Sequence, residues 1–152
     1  MGMTLIETIE VGVGGAASIE FTGIPQDGVD LQILISGRGS RSATDSQLRV
    51  AFNSDTASNY DVVKLTGESG SVTSSAFNFN SVIFGEMSAA TATANTFGSS
   101  SAYISNYTSS AAKSLSTDSV TENNATQNKI TIAAGAWSGT AAITSLLLTT
   151  NV

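Results

Sequence analysis

Short runs in which apolar and polar side chains alternate constrain this chain more than any other feature. In 18–23 (SIEFTG), Ile19 and Phe21 alternate with Ser18, Glu20 and Thr22. In 30–36 (DLQILIS), Leu31, Ile33 and Ile35 share one side, and in 47–53 (QLRVAFN) Leu48, Val50 and Phe52 oppose Arg49. Successive strand residues point to opposite faces, so a period of two gives each run one apolar face. Runs 102–108 and 129–133 read in the same way, 80–87 is a more continuous apolar run, 141–149 is β-rich at its start, and 4–11 (TLIETIEV) is a mixed but strand-like stretch. Clusters of Gly, Ser, Asn and Asp separate the runs, and no window sustains the i, i+3, i+4 pattern of a helix. Segment 88–101, rich in Ala and Thr, suits a helical turn or a long loop. Many short strands divided by turn residues predict an all-β sandwich or barrel. With 152 residues and no internal boundary, 1–152 is expected to form one domain.

The glycines of 9–21 (IEVGVGGAASIEF) fit G-x-G-x-x-A, the turn that cradles a dinucleotide pyrophosphate. That motif needs a helix opening inside it, whose free N–H groups meet the phosphate. Here Ile19 and Phe21 alternate instead, and Gly23 and Pro25 end the stretch. Gly12, Gly14 and Gly15 are better suited to a turn linking two antiparallel strands, because glycine adopts positive φ at little cost.

Charge narrows the function classes. The net charge is −6, and the six basic residues (Arg38, Arg41, Arg49, Lys64, Lys113 and Lys129) form no run. Nucleic-acid and anionic-membrane partners both require concentrated positive charge, so neither is expected. No stretch approaches the ~20 apolar residues of a membrane-spanning helix, and 1–11 lacks the basic start of a signal peptide. Only 12% of residues are charged. That neutral, polar balance suits a crowded lattice or an extracellular setting better than the cytosol.

The chain contains no Cys and no His, which removes the usual general base, the thiolate nucleophile and zinc–sulfur sites. The remaining acid pairs, Glu7 with Glu10 and Asp27 with Asp30, flank turns where solvated carboxylates are the rule. Tyr60, Tyr103, Tyr107 and Trp137 are the main aromatic candidates for a sugar platform. Segment 53–61 (NSDTASNYD) spaces oxygen ligands as a calcium loop does, but it has Ala57 near the place of the central glycine and lacks the closing acid. A polar hairpin loop with Asx turns fits it better. No residue is therefore assigned as catalytic, cofactor-binding or metal-ligating, and a non-enzymatic protein is expected. Trp137, the only tryptophan, is read as partly buried beside a turn, with a contact in a subunit interface as its alternative role.

In order along the chain, TLIET-I-V, the glycine turn, ASIEFTGIPQ (17–26), DLQILISGR (30–38), LRVAFNSDTASNYD (48–61), ISNYTSSAAKS (104–114) and WSGTAAITSLLLT (137–149) form a distinctive set. This set resembles small virion structural proteins of tailed bacteriophages, over nearly the whole chain. The resemblance implies a single-domain antiparallel β-sandwich of jelly-roll type with about eight strands. It implies a capsid decoration (cement) protein on the outer capsid surface, bound to the major capsid protein as a homotrimer. A tail-fibre or receptor-binding module contacting host glycans is the alternative. Sequences of this type often continue past the Trp137 region with a further strand; here the sheet closes without it, a neighbouring subunit completes it, or that part is absent from this chain, and an open edge would favour an assembled oligomer. Residues 1–11 are read as the first strand of the sandwich or as a peripheral arm that adds a strand to a capsid sheet. Leu5, Ile9, Val11 and Trp137 are the expected interface residues.

Overall fold

The alternating runs become strands wherever a partner strand lies beside them. The computed structural model describes residues 2–125 and 127–151. It contains β1 (Ser18–Thr22), β2 (Leu31–Gly37), β3 (Asp45–Phe52), β4 (Tyr60–Glu68), β5 (Ser71–Phe79), β6 (Val82–Ser88), β7 (Gly98–Ile104), β8 (Lys113–Glu122), β9 (Asn128–Trp137) and β10 (Ser145–Thr150). There is no helix among the described residues, and 89–97 is a loop. A four-stranded sheet, β1-β10-β3-β6, packs on a six-stranded sheet, β2-β7-β8-β9-β4-β5, and every strand pair is antiparallel.

The domain is thus an all-β sandwich, with ten strands instead of about eight. Without β8 and β9, two sheets of four remain, β1-β10-β3-β6 and β2-β7-β4-β5, wired as in a jelly roll. The β8–β9 hairpin is inserted between β7 and β4 and widens one sheet to six strands. β10 is an inner strand paired on both sides, with β1 and β3.

Three strands escape the alternation rule for separate reasons. β8 alternates strictly in burial, but its inward side chains are Lys113, Leu115, Thr117, Ser119 and Thr121, which are mostly polar. β4 places apolar residues on both faces, with Tyr60 and Val62 inward and Val63 and Leu65 outward. β5 is an edge strand with little burial to satisfy. Conversely, the strand expected at 4–11 is not formed: residues 2–17 lie outside both sheets.

The core has an apolar and a polar half. In the apolar half, Phe52, Tyr60 and Trp137 bring three rings together, with centroids 5.5 Å (Phe52–Trp137), 5.8 Å (Phe52–Tyr60) and 6.3 Å (Tyr60–Trp137) apart. In the polar half, Lys64 Nζ reaches Glu86 Oε1 at 3.2 Å between the sheets. Lys129 binds Asp45 and, at 3.3 Å, Glu68. Burial alone would lower the Lys129 pKa, but its hydrogen bond to Asp45 and the charges of Glu86, Asp45 and Glu68 more than offset this and raise it. β6 can approach the larger sheet closely here because Gly85 has no side chain: a Cβ on it would lie 2.5 Å from Ser119 Cβ.

Tyr60 makes this core sensitive to alkali. Its hydroxyl accepts from the Phe52 N–H (2.9 Å) and donates to the Asp55 carbonyl (3.1 Å). Burial pushes its pKa up to about 12, against a model-compound value of 10.0. A raised pKa keeps the folded phenol neutral while the unfolded one ionises. The stabilisation is therefore complete below pH 10 and is lost as the pH rises to about 12. A two-unit shift amounts to on the order of 3 kcal/mol. The difference in stability between wild type and Tyr60→Phe should shrink by about that amount over this window, as measured by urea unfolding at stepped pH; a constant difference would refute the assignment.

Candidate interaction surface

Residues 2–18 are all exposed. Odd-numbered positions in this segment carry Met3, Leu5, Ile9, Val11 and Val13, and Leu5 is 80% exposed. In an extended chain these side chains share one face with Glu7, which interrupts it, and Thr4, Thr8 and Glu10 lie on the other face with Ile6. The segment therefore has a strand's pattern without a strand's partner. At its end the Gly15 N–H donates to the Gly12 carbonyl (2.9 Å), and Gly15 has φ +71°. The glycines make a turn as expected, but it joins an unpaired arm to β1, so the expected hairpin is not formed. Leu5, Ile9 and Val11 all lie on this arm.

A second apolar surface covers the outer face of the six-stranded sheet. Cross-strand register places Val72, Gly67, Ile130 and Val120 side by side across β5, β4, β9 and β8. The next row is Ser74, Leu65, Ile132 and Asp118, followed by Ala76, Val63, Ala134 and Ser116. Val63, Leu65, Val72, Val120, Ile130 and Ile132 are all exposed. Farther along this face, Leu34, Ser99, Ser101 and Asp118 line a shallow cleft of about 310 Å³. The serine hydroxyl of Ser101 donates to Asp118 at 2.5 Å there.

The sheet ends at β5, which pairs only with β4. Ser69 (φ 50°) and Gly70 (φ 79°) form a two-residue turn between them, the positive-φ type that matches strand twist. Such a turn is closed by a hydrogen-bonded pair, here Glu68 and Ser71. Alternate residues Val72, Ser74, Ala76 and Asn78 therefore direct their N–H and C=O groups away from β4. SVTSSAFNF contains no charge and no proline, the usual guards of an open edge.

The other expected site residues lie elsewhere. Trp137 is 3% exposed and belongs to the core. Tyr60 and Tyr107 are also buried, and Tyr107 OH donates to the Pro25 carbonyl at 2.5 Å. Of the four aromatic candidates, only Tyr103 is exposed, and its hydroxyl donates to Asp30 Oδ2 at 2.5 Å. That bond and the Asn106 N–H hold the Asp30 carboxyl below the ordinary range, so it stays ionised. Glu7 and Glu10 stand on the arm.

In 53–61, Asp55 Oδ1 accepts from the Ala57 N–H (3.0 Å), the expected Asx turn. Its other oxygen accepts from Asn59 Nδ2 (2.9 Å) and Trp137 Nε1 (2.8 Å). The Asn59 and Trp137 bonds, with the Ala57 N–H, lower its pKa. This carboxylate is committed to holding the loop against the core. The sheet face and open edge went unnoticed in the sequence because β4, β5 and β8 lack a clean hydropathy signal. No protein-family model, curated protein or solved structure matches the chain.

Proposed function

We propose that the chain is a non-enzymatic virion structural protein of a tailed bacteriophage, a decoration protein that binds the outer surface of the major capsid lattice and stabilises the head. The observation that carries this reading is the outer face of the six-stranded sheet, where Val63, Leu65, Val72, Val120, Ile130 and Ile132 are exposed together. A contiguous apolar face on a domain of this size is characteristic of a protein–protein contact. The two hydrogen-bonded sheets behind it supply a stiff support, and the exposed arm supplies the peripheral segment that such a protein lays across its neighbours. Many weak contacts of this kind become strong together, because linked sites raise avidity by about 10²–10⁴.

Ile130→Lys with Ile132→Lys tests the reading. Both side chains already face solvent, so the fold should be unchanged by circular dichroism. Binding to heads lacking the protein should weaken by about 10–100-fold, the equivalent of one or two buried aliphatic side chains. Unchanged binding would remove the face from the contact. Heads lacking the protein should also release DNA at lower temperature. A receptor-facing tail module is the second reading, favoured by exposed Phe97 at the end of loop 89–97. Copy number in purified virions separates the two: copies in proportion to capsid subunits support decoration, and a few per particle support the tail.

A further inference from the structure

We infer that the arm of one copy adds as an extra strand along the free edge of β5 in a second copy, so that the protein assembles by arm exchange. Three observations converge on this pairing. First, the arm is strand-like, with Leu5, Ile9 and Val11 on one side, interrupted there only by Glu7, yet every one of residues 2–17 is exposed and outside both sheets. Second, β5 presents nine residues of unguarded edge, with the N–H and C=O groups of Val72, Ser74, Ala76 and Asn78 turned outward. Third, the lengths agree. At about 3.3 Å per residue, residues 2–11 span ~33 Å and β5 spans ~30 Å.

The other edges fit less well. β6 is buried along its whole length, and β1 has only five residues and carries Glu20. β2 is uncharged but has only seven residues. Strand addition draws affinity from main-chain bonds and specificity from alternate side chains, so the arm needs no charge complement on β5. On β5, Val72 and Ala76 belong to the outer apolar face, and an added strand placing Leu5, Ile9 and Val11 on that side extends it, with Glu7 directed to solvent between Leu5 and Ile9. The turn at Gly12 to Gly15 sets the direction in which the arm leaves the body. Each copy both donates an arm and accepts one, so a reciprocal pair or a closed ring pairs every β5 edge.

Two variants of the full chain test this, with mass measured by light scattering after size exclusion at micromolar concentration. Ser74→Pro removes an N–H that points away from β4. Proline is tolerated at such edge positions, so it blocks an added strand while leaving the sheet intact. Leu5→Asp with Ile9→Asp alters only the arm. The full chain should be a multimer, and both variants should run as monomers with unchanged far-UV circular dichroism. A monomeric full chain, or a folded variant of either kind that keeps the full chain's mass, overturns the proposal; should Ser74→Pro not fold, the arm variant decides alone. Purified protein is used without capsid. Failure here therefore leaves the virion reading intact, and absence of the protein from heads leaves arm exchange intact.

Discussion

Trp137→Ala should destabilise the domain by about 3–5 kcal/mol, the usual cost of emptying a large aromatic site in a core. Trp137 is 3% exposed and packs edge-on to Phe52 and parallel to Tyr60. Its indole N–H donates to Asp55, so the substitution also frees the loop that Asp55 organises. Domains hold only about 5–15 kcal/mol in total, so the loss is a large fraction of the stability. A melting temperature lower by roughly 10–20 °C is expected from far-UV circular dichroism. Trp137→Phe should fall between the two, since it keeps most of the ring contact but loses the bond to Asp55. If Trp137 served mainly in a subunit interface, the alanine variant would keep its melting temperature and lose only assembly. That result would overturn the core assignment.

Lys113→Met should cost about 1–3 kcal/mol, for a different reason. Lys113 begins β8 opposite Trp137 and is almost fully buried. Its ammonium donates to the carbonyls of Ser109 (2.8 Å), Ala111 and Ala141 (3.1 Å), and lies 5.8 Å from the centre of the Trp137 ring. Three donors meet three acceptors and tie the β7–β8 and β9–β10 connections together. Methionine fills similar space but donates nothing. Each carbonyl left without a partner costs about 1–3 kcal/mol where it is shielded from water. Burial also lowers the Lys113 pKa. Between its folded and unfolded values the unfolded chain binds more protons, so this residue makes stability rise with pH there. The methionine variant should lack that rise. Urea midpoints measured across the alkaline range test both statements, and a loss below about 1 kcal/mol would show that the carbonyls find water instead.

The sequence was most legible where one face is apolar and the other polar. Leu31, Ile33 and Ile35 in β2, and Leu48, Val50 and Phe52 in β3, show this plainly, and their strands lie where expected. It was least legible where burial is polar. Thr117, Ser119 and Thr121 are buried in β8, yet a hydropathy pattern gives them no apolar face. In the sequence Lys113 is only one of six basic residues that form no run, because nothing local shows that carbonyls from two distant connections converge on it. In the candidate surface, Leu5, Ile9 and Val11 could be picked out by alternation. The rows built from Val63, Leu65, Ile130 and Ile132 could not, because strands far apart in sequence supply neighbouring positions.

Local alternation determined that this chain is all-β, since side-chain direction in a strand depends only on parity along the backbone. The absence of Cys and His excludes thiolate and imidazole chemistry from this chain's own side chains, since composition does not depend on folding. Tertiary structure decided everything that depends on a partner. It inserted the β8–β9 hairpin into the larger sheet, buried Trp137 against Phe52 and Tyr60, and left β5 with one open side. It also separated two segments that the sequence makes look alike. Residues 18–22 pair with β10, whereas the equally strand-like 4–11 has no strand partner within its own chain. Backbone hydrogen bonds require a second strand at the right distance, and only the assembled chain shows where one is present.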